Sequence, residues 1–402
     1  MSIVSRLVRL VKRLQRKALF TDDAEIHQRV LWRQRPADAR YEEQAFSVAP
    51  DLQSLRSVLV FKPDEIGDVA MALPAIVELK RALPEARLSL LCKRATAPLF
   101  AATKLFDEIA VTQDALSGIP HLHWLPVKKP LASLSTQQFD LTVFLRTHPR
   151  YFAAFKRVPS RAQLHPSHPQ MTSQSVLRSE IDGSFNDTWS SVRPHQTLQL
   201  LQIVGKLTGK RYAMADVEFP AFHWSEDDQV AASKVFRGEP PSRFGVIHPF
   251  VREETRRWPM EYWRDLSIGL ERAFPMPWVI IGGPGDPRLD LPLSVLQSQG
   301  ALRLTETGYL LSRAAAFVGI SSGPAHWAGA LGTPTVTLFG GKDVSSEFAP
   351  LGKSLVLRTE VPCSPCDSAF CQFRHLACLR ELTPQRVLPA TVNFLHSHNV
   401  GG

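Results

Sequence analysis

Runs of strand-forming residues alternate with helical periodicity from residue 55 onward. SVLVFK at 57–62 is a continuous β-type run, and residues 68–83 then repeat apolar positions at helical spacing. Two further runs of the same kind are RLSLLCK at 87–93 and DLTVFLRT at 140–147. Buried strands that alternate with helices are typical of a parallel sheet. The pattern predicts an α/β domain in the first half of the chain.

A second alternation begins at RFGVIHPF, residues 243–250, after a stretch of different character. Within that stretch, residues 160–195 are rich in Ser, Pro, His and Gln and predict a long loop, and 195–209 predicts a helix that ends at Gly209. Two successive α/β halves predict twin Rossmann-like domains that face a cleft. The second alternation consists of a helix at 259–273, strands at 278–285 and 316–322, a helix at 323–332 and a strand at 334–340.

The length of 402 residues exceeds what one hydrophobic core usually holds, so two domains are expected. We place the first Rossmann-like domain at residues 51–218 and the second at residues 219–402. No stretch approaches the ~20 apolar residues of a membrane-spanning helix. Basic residues interrupt the N-terminal apolar positions, so no secretory signal is expected and the location is predicted to be cytoplasmic.

Residues 1–50 differ from both halves in charge. The chain has a net charge of +9, yet six basic residues and no acidic one lie within residues 1–20. The remaining chain carries 41 basic and 38 acidic residues, so no nucleic-acid partner is expected. At about 100° per residue, apolar and basic side chains of residues 1–20 occupy opposite arcs. This pattern predicts a helix on an anionic membrane surface, or alternatively one packed on its own protein, followed by a linker over 21–50.

Three predicted strands of the second half should end at one edge of its sheet. Their ends are His248–Pro249, Gly282–Gly283 and Ser321–Gly323, and ligands of open α/β sheets bind outside such carboxyl ends. In GISSGPAHW, Ser321, Ser322, Gly323 and Pro324 lead into a helix without any acidic residue. Hydroxyl groups, backbone N–H groups and the positive end of the helix dipole would all suit an anion.

Two arginines precede another predicted helix in TRRWP. Arg256 and Arg257 could clamp a diphosphate together with the start of the helix at Pro259. The alternatives are that the arginines are a solvated charge pair and that the Ser/Gly loop is an ordinary turn. No G-x-G-x-x-G follows the first strand, so the dinucleotide fingerprint is absent from the sequence.

The loop FKPDEIGDVAMALP has the form of a phosphate site but carries three carboxylates. Asp64, Glu65 and Asp68 would repel a phosphate. If the second half holds an anionic leaving group, an acidic loop on the facing edge can instead supply a general base. Asp68 follows the turn residue Gly67 at the predicted helix start and is the best candidate for that base. The alternative is that Asp68 only caps the helix.

The motifs DEIGDVAMALPAIVELKRALPEA, RRWPMEYWRDL, IIGGPGD and VGISSGPAHWAGALGTPTVTLFG resemble glycosyltransferase family 9, the lipopolysaccharide heptosyltransferases. The resemblance covers about residues 55–390. It implies a GT-B fold and an inverting, metal-independent transfer from ADP-heptose to a lipid A-linked core acceptor, with no cofactor required. It also implies that residues 51–218 face the acceptor and residues 219–402 bind the nucleotide sugar.

The same resemblance assigns roles to individual residues. Asp68, in the Gly67–Asp68–Val69 turn, matches the catalytic aspartate of the family. Arg256 matches a basic residue, usually lysine, that holds the donor phosphates, and Gly323, Pro324 and His326 match the donor-site stretch. Ser321 departs from the family, which commonly has aspartate there, and this leaves the sugar open. The alternatives are another nucleotide sugar, a protein acceptor such as an autotransporter, or a silent homologue that only binds the nucleotide sugar.

Four cysteines form a separate cluster in CSPCDSAFCQFRHLAC. Cys363, Cys366, Cys371 and Cys378 have the spacing C-x2-C-x4-C-x6-C. Clustered cysteines in a cytoplasmic chain favour a metal site over disulfides, and four thiolates suit Zn²⁺ or an iron ion. The resemblance extends to relatives that glycosylate autotransporters, where a bound iron ion is implied. Reduced structural thiols and a disulfide or redox role remain the alternatives.

Overall fold

A computed structural model describes residues 51–112, 134, 137–145, 160–164, 194–236, 238, 240–292, 294–366 and 368–400. The chain divides into two compact units, residues 1–44 and 45–402, and all the described residues belong to the second unit. The predicted amphipathic helix and linker at 1–50 and most of the predicted loop at 160–195 lie outside the described residues.

The first half contains a five-stranded parallel sheet with the strand order β3-β2-β1-β4-β5. Strand β1 lies at the centre and is buried along nearly its whole length. The elements are β1 (Ser57–Lys62), α1 (Ile66–Ala82), β2 (Arg87–Lys93), α2 (Ala97–Ala102), β3 (Glu108–Thr112), β4 (Phe139–Phe144), β5 (Ser160–Leu164) and α3 (Gln196–Thr208). This half confirms the predicted α/β pattern.

The second half contains a six-stranded parallel sheet with the order β11-β10-β9-β6-β7-β8. Helix α10 packs against α5 on this sheet. The strands are β6 (Gly245–His248), β7 (Trp278–Ile280), β8 (Val295–Gln297), β9 (Ala316–Ile320), β10 (Thr335–Phe339) and β11 (Ser354–Arg358). The helices are α4 (Glu226–Ser233), α5 (Met260–Ala273), α6 (Leu304–Arg313), α7 (Gly323–Ala330), α8 (Ser345–Phe348), α9 (Ala377–Arg380) and α10 (Pro384–Ser397).

Helix α1 is buried on almost every side, because both halves cover it. Every residue from 69 to 79 is buried. The helix packs against α3 of the first half and α7 of the second half. A helix that is apolar all round is stable only where several elements surround it. The element that carries Asp68 is therefore held by both halves of the molecule.

Three differences from the sequence prediction bear on the site or on the sheet edge. Residues 160–164 form the edge strand β5 rather than part of a loop, since Ala162 and Leu164 are buried while Arg161 is exposed. Helix α1 begins at Ile66 rather than at Asp68. Strand β7 ends at Ile280 rather than at 285, and the following glycines form a turn in which Gly283 N donates to Asp286 Oδ2.

The two parallel sheets confirm the prediction of two Rossmann-like halves. Strands β9, β6 and β7 are neighbours in the second sheet, and so their carboxyl ends meet at one edge as expected. None of the helices in the described ranges has the length and apolar character needed to cross a membrane.

Candidate functional site

The carboxyl ends of β6 and β9 are joined by a side-chain contact. His248, the last residue of β6, is buried, and its Nδ1 lies 3.1 Å from Ser322 Oγ. Ser322 Oγ also donates to the carbonyl oxygen of Ile320 at 3.0 Å. Ser322 precedes helix α7 and makes no side-chain capping bond to it. The first N–H groups of α7 therefore have no side-chain cap at this edge, as an anion site requires.

The start of α1 lies directly against the start of α7. A Cβ atom on Gly67 would stand 2.9 Å from His326 Cδ2, and one on Gly323 would stand 2.9 Å from Ile66 Cβ. Trp327 Nε1 donates to the carbonyl oxygen of Ile66 at 2.9 Å. The two glycines thus permit close approach of the two loops. Gly67, expected among the donor-binding residues, is placed where it contacts α7.

The three carboxylates around the start of α1 differ in their ion pairs. Asp64 is buried and lies 2.8 Å from the equally buried Lys62 Nζ. Glu65 is paired with Lys93. Asp68 has no ion pair among the described residues and is half-buried. Its charge is close enough to Arg256 to raise the pKa of that guanidinium.

The structure also decides the capping alternative for Asp68. The residue that flanks the first turn of α1 is Glu65, and it makes no side-chain capping bond. Asp68 lies inside the first turn, where the helix dipole stabilises a carboxylate. Asp68 is thus not the N-cap residue that the alternative supposed, because the helix begins two residues earlier than expected. The prediction of a general base at Asp68 is therefore not opposed by a capping role.

Arg256 is already bound by carboxylates. Its Nε and Nη2 donate to the two oxygens of Asp343 at 2.5 Å each. Its Nη1 lies 3.2 Å from Glu253, and Glu253 accepts from Lys342 Nζ at 2.6 Å. Burial lowers the pKa of Arg256, but Asp343, Glu253 and Asp68 outweigh burial, so the pKa is raised and the guanidinium stays charged.

Arg257 and the two glycines after β7 take no part in this charge cluster. Arg257 is exposed, and its Nη2 donates to the carbonyl oxygen of Arg252 at 3.1 Å, as expected for the solvated alternative. The N–H of Gly283 is engaged by Asp286. A Cβ atom on Gly282 would stand 2.8 Å from the ring of Phe250.

Two buried histidines line the edge where the loops meet. Burial lowers the pKa of His248 to about 4. Burial lowers the pKa of His326 to about 3, with further contributions from His195 and Arg256. Both imidazoles are therefore neutral at pH 7. In this state they can exchange hydrogen bonds but add no positive charge for a phosphate.

The acidic partner of Arg256 did not emerge from the sequence pattern. Asp343 lies beyond the end of β10 in LFGGKD, with Lys342 beside it. The available signal was the position itself, since β10 is parallel to β9 and its carboxyl end lies at the same edge. If the carboxyl end of β10 had also been searched for ligand-binding residues, Lys342 and Asp343 would have been among the candidates.

The four clustered cysteines line one cavity of about 230 Å³, together with Thr255 and Gly341. All four are free thiols. Burial raises the pKa of Cys371, but backbone N–H groups of residues 373–376 donate to its sulfur and lower the pKa overall. The pKa of Cys378 is raised by burial and by the other three cysteines. Within the described ranges, no set of three or more His, Cys, Asp or Glu side chains is already arranged to hold a metal ion.

Hydrogen bonds connect the cysteine segment to both partners of the charge cluster. Thr255, next to Arg256, donates its hydroxyl to the carbonyl oxygen of Ser368. The carbonyl oxygen of Gly341, two residues before Asp343, accepts from Cys366 N at 2.8 Å. The segment 363–378 is thus part of the support of the Arg256–Asp343 pair.

Three comparisons relate this chain to known proteins. Residues 211–377 match the model of glycosyltransferase family 9 (heptosyltransferase). A curated relative, lipopolysaccharide heptosyltransferase 1 of Pseudomonas aeruginosa, is 30% identical over 155 residues, or 33% of this chain. The matched part spans 42% of that relative's length.

Two solved structures have the same fold. A glycosyltransferase family 9 protein of Veillonella parvula superposes with a TM-score of 0.71 at 15% identity, covering 87% of this chain and all of the other. The E. coli ADP-heptose lps heptosyltransferase II gives a TM-score of 0.64 at 17% identity, covering 85% and 99%. The predicted GT-B fold is confirmed. The resemblance to glycosyltransferase family 9 is confirmed as well, by the match of residues 211–377 to the family's model and by the curated relative.

Proposed function

We propose that this protein is an inverting glycosyltransferase that transfers heptose from ADP-heptose to a lipid A-linked lipopolysaccharide core acceptor. The observation that carries the proposal is the state of Asp68. It is the one carboxylate of its loop without an ion pair among the described residues, and it lies near Arg256 at the contact between the halves. The names of the curated relative and of the E. coli structure supply the sugar and the acceptor class.

In the proposed reaction, Asp68 accepts the proton of an acceptor hydroxyl while that oxygen attacks the anomeric carbon. The bond from the anomeric carbon to the diphosphate oxygen breaks as the new glycosidic bond forms. Attack opposite to the leaving group inverts the anomeric centre. Such assistance by a general base contributes roughly 10²–10⁴-fold to the rate.

The departing ADP requires donors at the edge of the second sheet. The uncapped start of α7 offers backbone N–H groups, and Ser321 and Ser322 offer hydroxyl groups nearby. Arg256 remains charged and contributes the N–H groups that Asp343 does not occupy. Preorganised donors of this kind stabilise a developing negative charge more than water does.

The direct test combines a donor panel with product analysis. Purified protein is incubated with ADP-heptose, UDP-glucose or GDP-mannose and a deacylated core acceptor. We expect transfer from ADP-heptose alone, with a product of inverted anomeric configuration by NMR. Retention of configuration, or no transfer from any donor despite nucleotide binding, would refute the proposal and favour a silent binding homologue.

One observation favours a second candidate function, which is transfer of another sugar or transfer to a protein acceptor. Ser321 replaces the aspartate expected from the resemblance, and its hydroxyl donates to Asp343 at 3.4 Å. A changed polar edge in the donor pocket can change which sugar hydroxyl groups are accepted. Transfer from UDP-glucose or GDP-mannose, or onto an autotransporter fragment, would favour this candidate.

We also propose a structural metal ion at the four cysteines. Cys363, Cys366, Cys371 and Cys378 fit such an ion in donor type, since they line one cavity and Cys371 is surrounded by N–H donors, as metal-bound thiolates commonly are. When bound, Zn²⁺ or an iron ion would supply a tetrahedral link between the thiolates. Elemental analysis of the purified protein, compared with a Cys363→Ser, Cys366→Ser double variant, tests this. Equal metal content in both proteins would refute it.

Peripheral attachment to the cytoplasmic side of an anionic membrane completes the proposal. It is supported by the separated apolar and basic positions of residues 1–20. A lipid-linked acceptor would be presented at such a surface. Basic residues near anionic lipids contribute about 1 kcal/mol each.

A further inference from the structure

Asp343 is a buried carboxylate that the proposed reaction has not yet used. Its side chain is 9% exposed. Its Oδ1 accepts from Arg256 Nη2 at 2.5 Å, and its Oδ2 accepts from Arg256 Nε at 2.5 Å and from Ser321 Oγ at 3.4 Å. Both partners lie on different loops at the donor edge, which is the edge of the second sheet where the carboxyl ends of β6, β9 and β10 meet. Asp343 therefore connects the loop after β6, the end of β9 and the loop after β10.

The pairing leaves part of Arg256 available for a ligand. A guanidinium group has five N–H donors. Asp343 accepts the hydrogen on Nε and one hydrogen on Nη2, so it occupies the Nε side of the guanidinium. Three N–H groups remain on the two terminal nitrogens, with Glu253 3.2 Å from Nη1. Two carboxylates thus fix the plane of the guanidinium while its end can still donate to a phosphate.

The serine at position 321 is compatible with this arrangement, whereas a second carboxylate would not be. Ser321 Oγ is within 3.4 Å of Asp343 Oδ2. An aspartate at position 321 would bring two negative charges within a few ångströms, and like charges at that distance disfavour each other's ionisation. Position 321 carries no carboxylate, while position 343 supplies one to the same small region beside Arg256.

We propose that Asp343 is the positioning carboxylate of the donor site, which orients Arg256 for the diphosphate and takes the place of the carboxylate absent from position 321. This inference rests on the proposed function, because it assumes that a nucleoside diphosphate is the ligand. An oriented Arg256 loses less side-chain entropy on binding than a mobile one. The carboxylate acts through Arg256 and does not touch the reacting atoms.

If Asp343 had the contrary role, its removal would change the affinity for ADP in the opposite direction. If Asp343 merely occupied the phosphate position, its removal would uncover Arg256 and tighten the binding of an anion. Coulomb's law alone also predicts tighter binding when a negative charge is removed. Positioning predicts weaker binding, since the guanidinium loses its fixed orientation and keeps only Glu253 as a partner.

The test moves the carboxylate from position 343 to position 321. Calorimetric titration of the full chain with ADP measures the dissociation constant of each variant. We expect ADP to bind about tenfold more weakly to Asp343→Ser, in the range for loss of a charge-assisted pair. Ser321→Asp should also weaken ADP binding, since it adds a second carboxylate. The double variant Ser321→Asp, Asp343→Ser restores a single carboxylate, and its dissociation constant should return to within about threefold of the wild-type value.

The control is Asp290→Ser. Asp290 is paired with Arg264 in the same half, but its side chain is 93% exposed and pairs with an arginine other than Arg256. ADP affinity should not change in this variant. Thermal unfolding accompanies each titration. If Asp343→Ser does not fold, Asp343→Asn replaces it, since this variant keeps one oxygen acceptor and should weaken ADP binding to a smaller extent.

Several outcomes would overturn the inference. Tighter ADP binding by Asp343→Ser would show that the carboxylate obstructs the site. A double variant no better than Asp343→Ser would show that the position, and not the carboxylate, matters. If the wild-type protein binds no ADP, the proposed function fails first and the inference with it. If the wild type binds ADP and the substitutions leave its affinity for ADP unchanged, only the inference fails.

Discussion

At the scale of single residues, pairing decides which charged groups can do chemistry. Three acids lie at the start of α1, and lysines neutralise the two that precede the helix, namely Asp64 and Glu65. Asp68 is left half-buried near a cation that stays charged. A general base must be ionised and within reach of the acceptor proton. Since lysines pair with the other two acids, Asp68 is the acid that we propose as that base.

Asp68→Asn tests this selection. The amide is nearly isosteric with the carboxylate but cannot accept the proton, so we expect turnover to fall roughly 10²–10⁴-fold while ADP binding is kept. Turnover is measured by release of ADP from the nucleotide sugar in the presence of acceptor. Glu65→Gln, three residues earlier in the same loop, is the matched control and should keep turnover. If Asp68→Asn retained more than about a tenth of wild-type turnover, the assignment would fail.

The two buried histidines predict that the protein loses stability in mild acid. The pKa values of His248 and His326 are lowered by burial to about 4 and about 3, whereas the unfolded chain protonates near pH 6.5. Between these values the unfolded state binds more protons, so the free energy of unfolding should fall as pH falls below about 6.5. Each unit of pKa difference corresponds to about 1.4 kcal/mol.

Urea unfolding between pH 4 and pH 8 measures this slope. A His248→Gln variant should show a shallower dependence on pH than the wild type. The exposed His223 offers the control, and His223→Gln should leave the slope unchanged. An identical slope in all three proteins would mean that other groups cause the acid sensitivity.

At the scale of elements, local sequence patterns predicted most of the strands. They did not predict which residues pair across long distances in the sequence. The bounds of β2 were predicted to the residue, because a short run that is apolar except for Ser89 lies between Arg87 and Lys93 and is typical of a strand buried on both faces. The edge strand β5 was missed, since only one of its faces is buried. The meeting of the carboxyl ends of β6 and β9, where Ser322 contacts His248, was predicted from the strand ends. The Arg256–Asp343 pair joins residues 87 positions apart, and no local pattern contains that information.

The contact between α1 and α7 depends on small residues at both starts. Gly323→Ala would place a methyl group 2.9 Å from Ile66 Cβ and 3.2 Å from the backbone nitrogen of Gly67. Overpacking of this kind typically costs about 1–3 kcal/mol. We expect a lower free energy of unfolding in urea and a lower rate of transfer, because Asp68 would move away from the donor edge.

Gly238→Ala is the matched control for this contact. No atom lies within 4 Å of the added methyl group at that position. Its stability and its rate of transfer should equal those of the wild type. If Gly323→Ala behaved like Gly238→Ala, the two loops would tolerate separation, and their close approach would not be required for transfer.

At the scale of the whole molecule, charge is separated along the chain. Residues 1–20 carry six basic residues and no acid, whereas the remainder is nearly balanced with 41 basic and 38 acidic residues. Residues 45–402 form one compact unit that contains both sheets. Under the proposed function, attachment to the membrane belongs to residues 1–20 and transfer of the sugar belongs to the compact unit. This division also means that the two activities can be measured separately.

A chain that begins at Ala49 should therefore remain folded and keep its transfer activity on a soluble acceptor, yet lose binding to anionic vesicles. The measurement is co-sedimentation with phosphatidylglycerol vesicles, with phosphatidylcholine vesicles as the neutral reference. A second variant keeps the full length and replaces the six basic residues of 1–20 by glutamine. It should also lose binding, since about 1 kcal/mol per basic residue comes from the anionic surface and declines with salt. Vesicle binding that survives both changes would place the attachment within residues 49–402. Unfolding of the shortened chain would instead show that residues 1–48 pack on the protein, and the membrane proposal would then be abandoned.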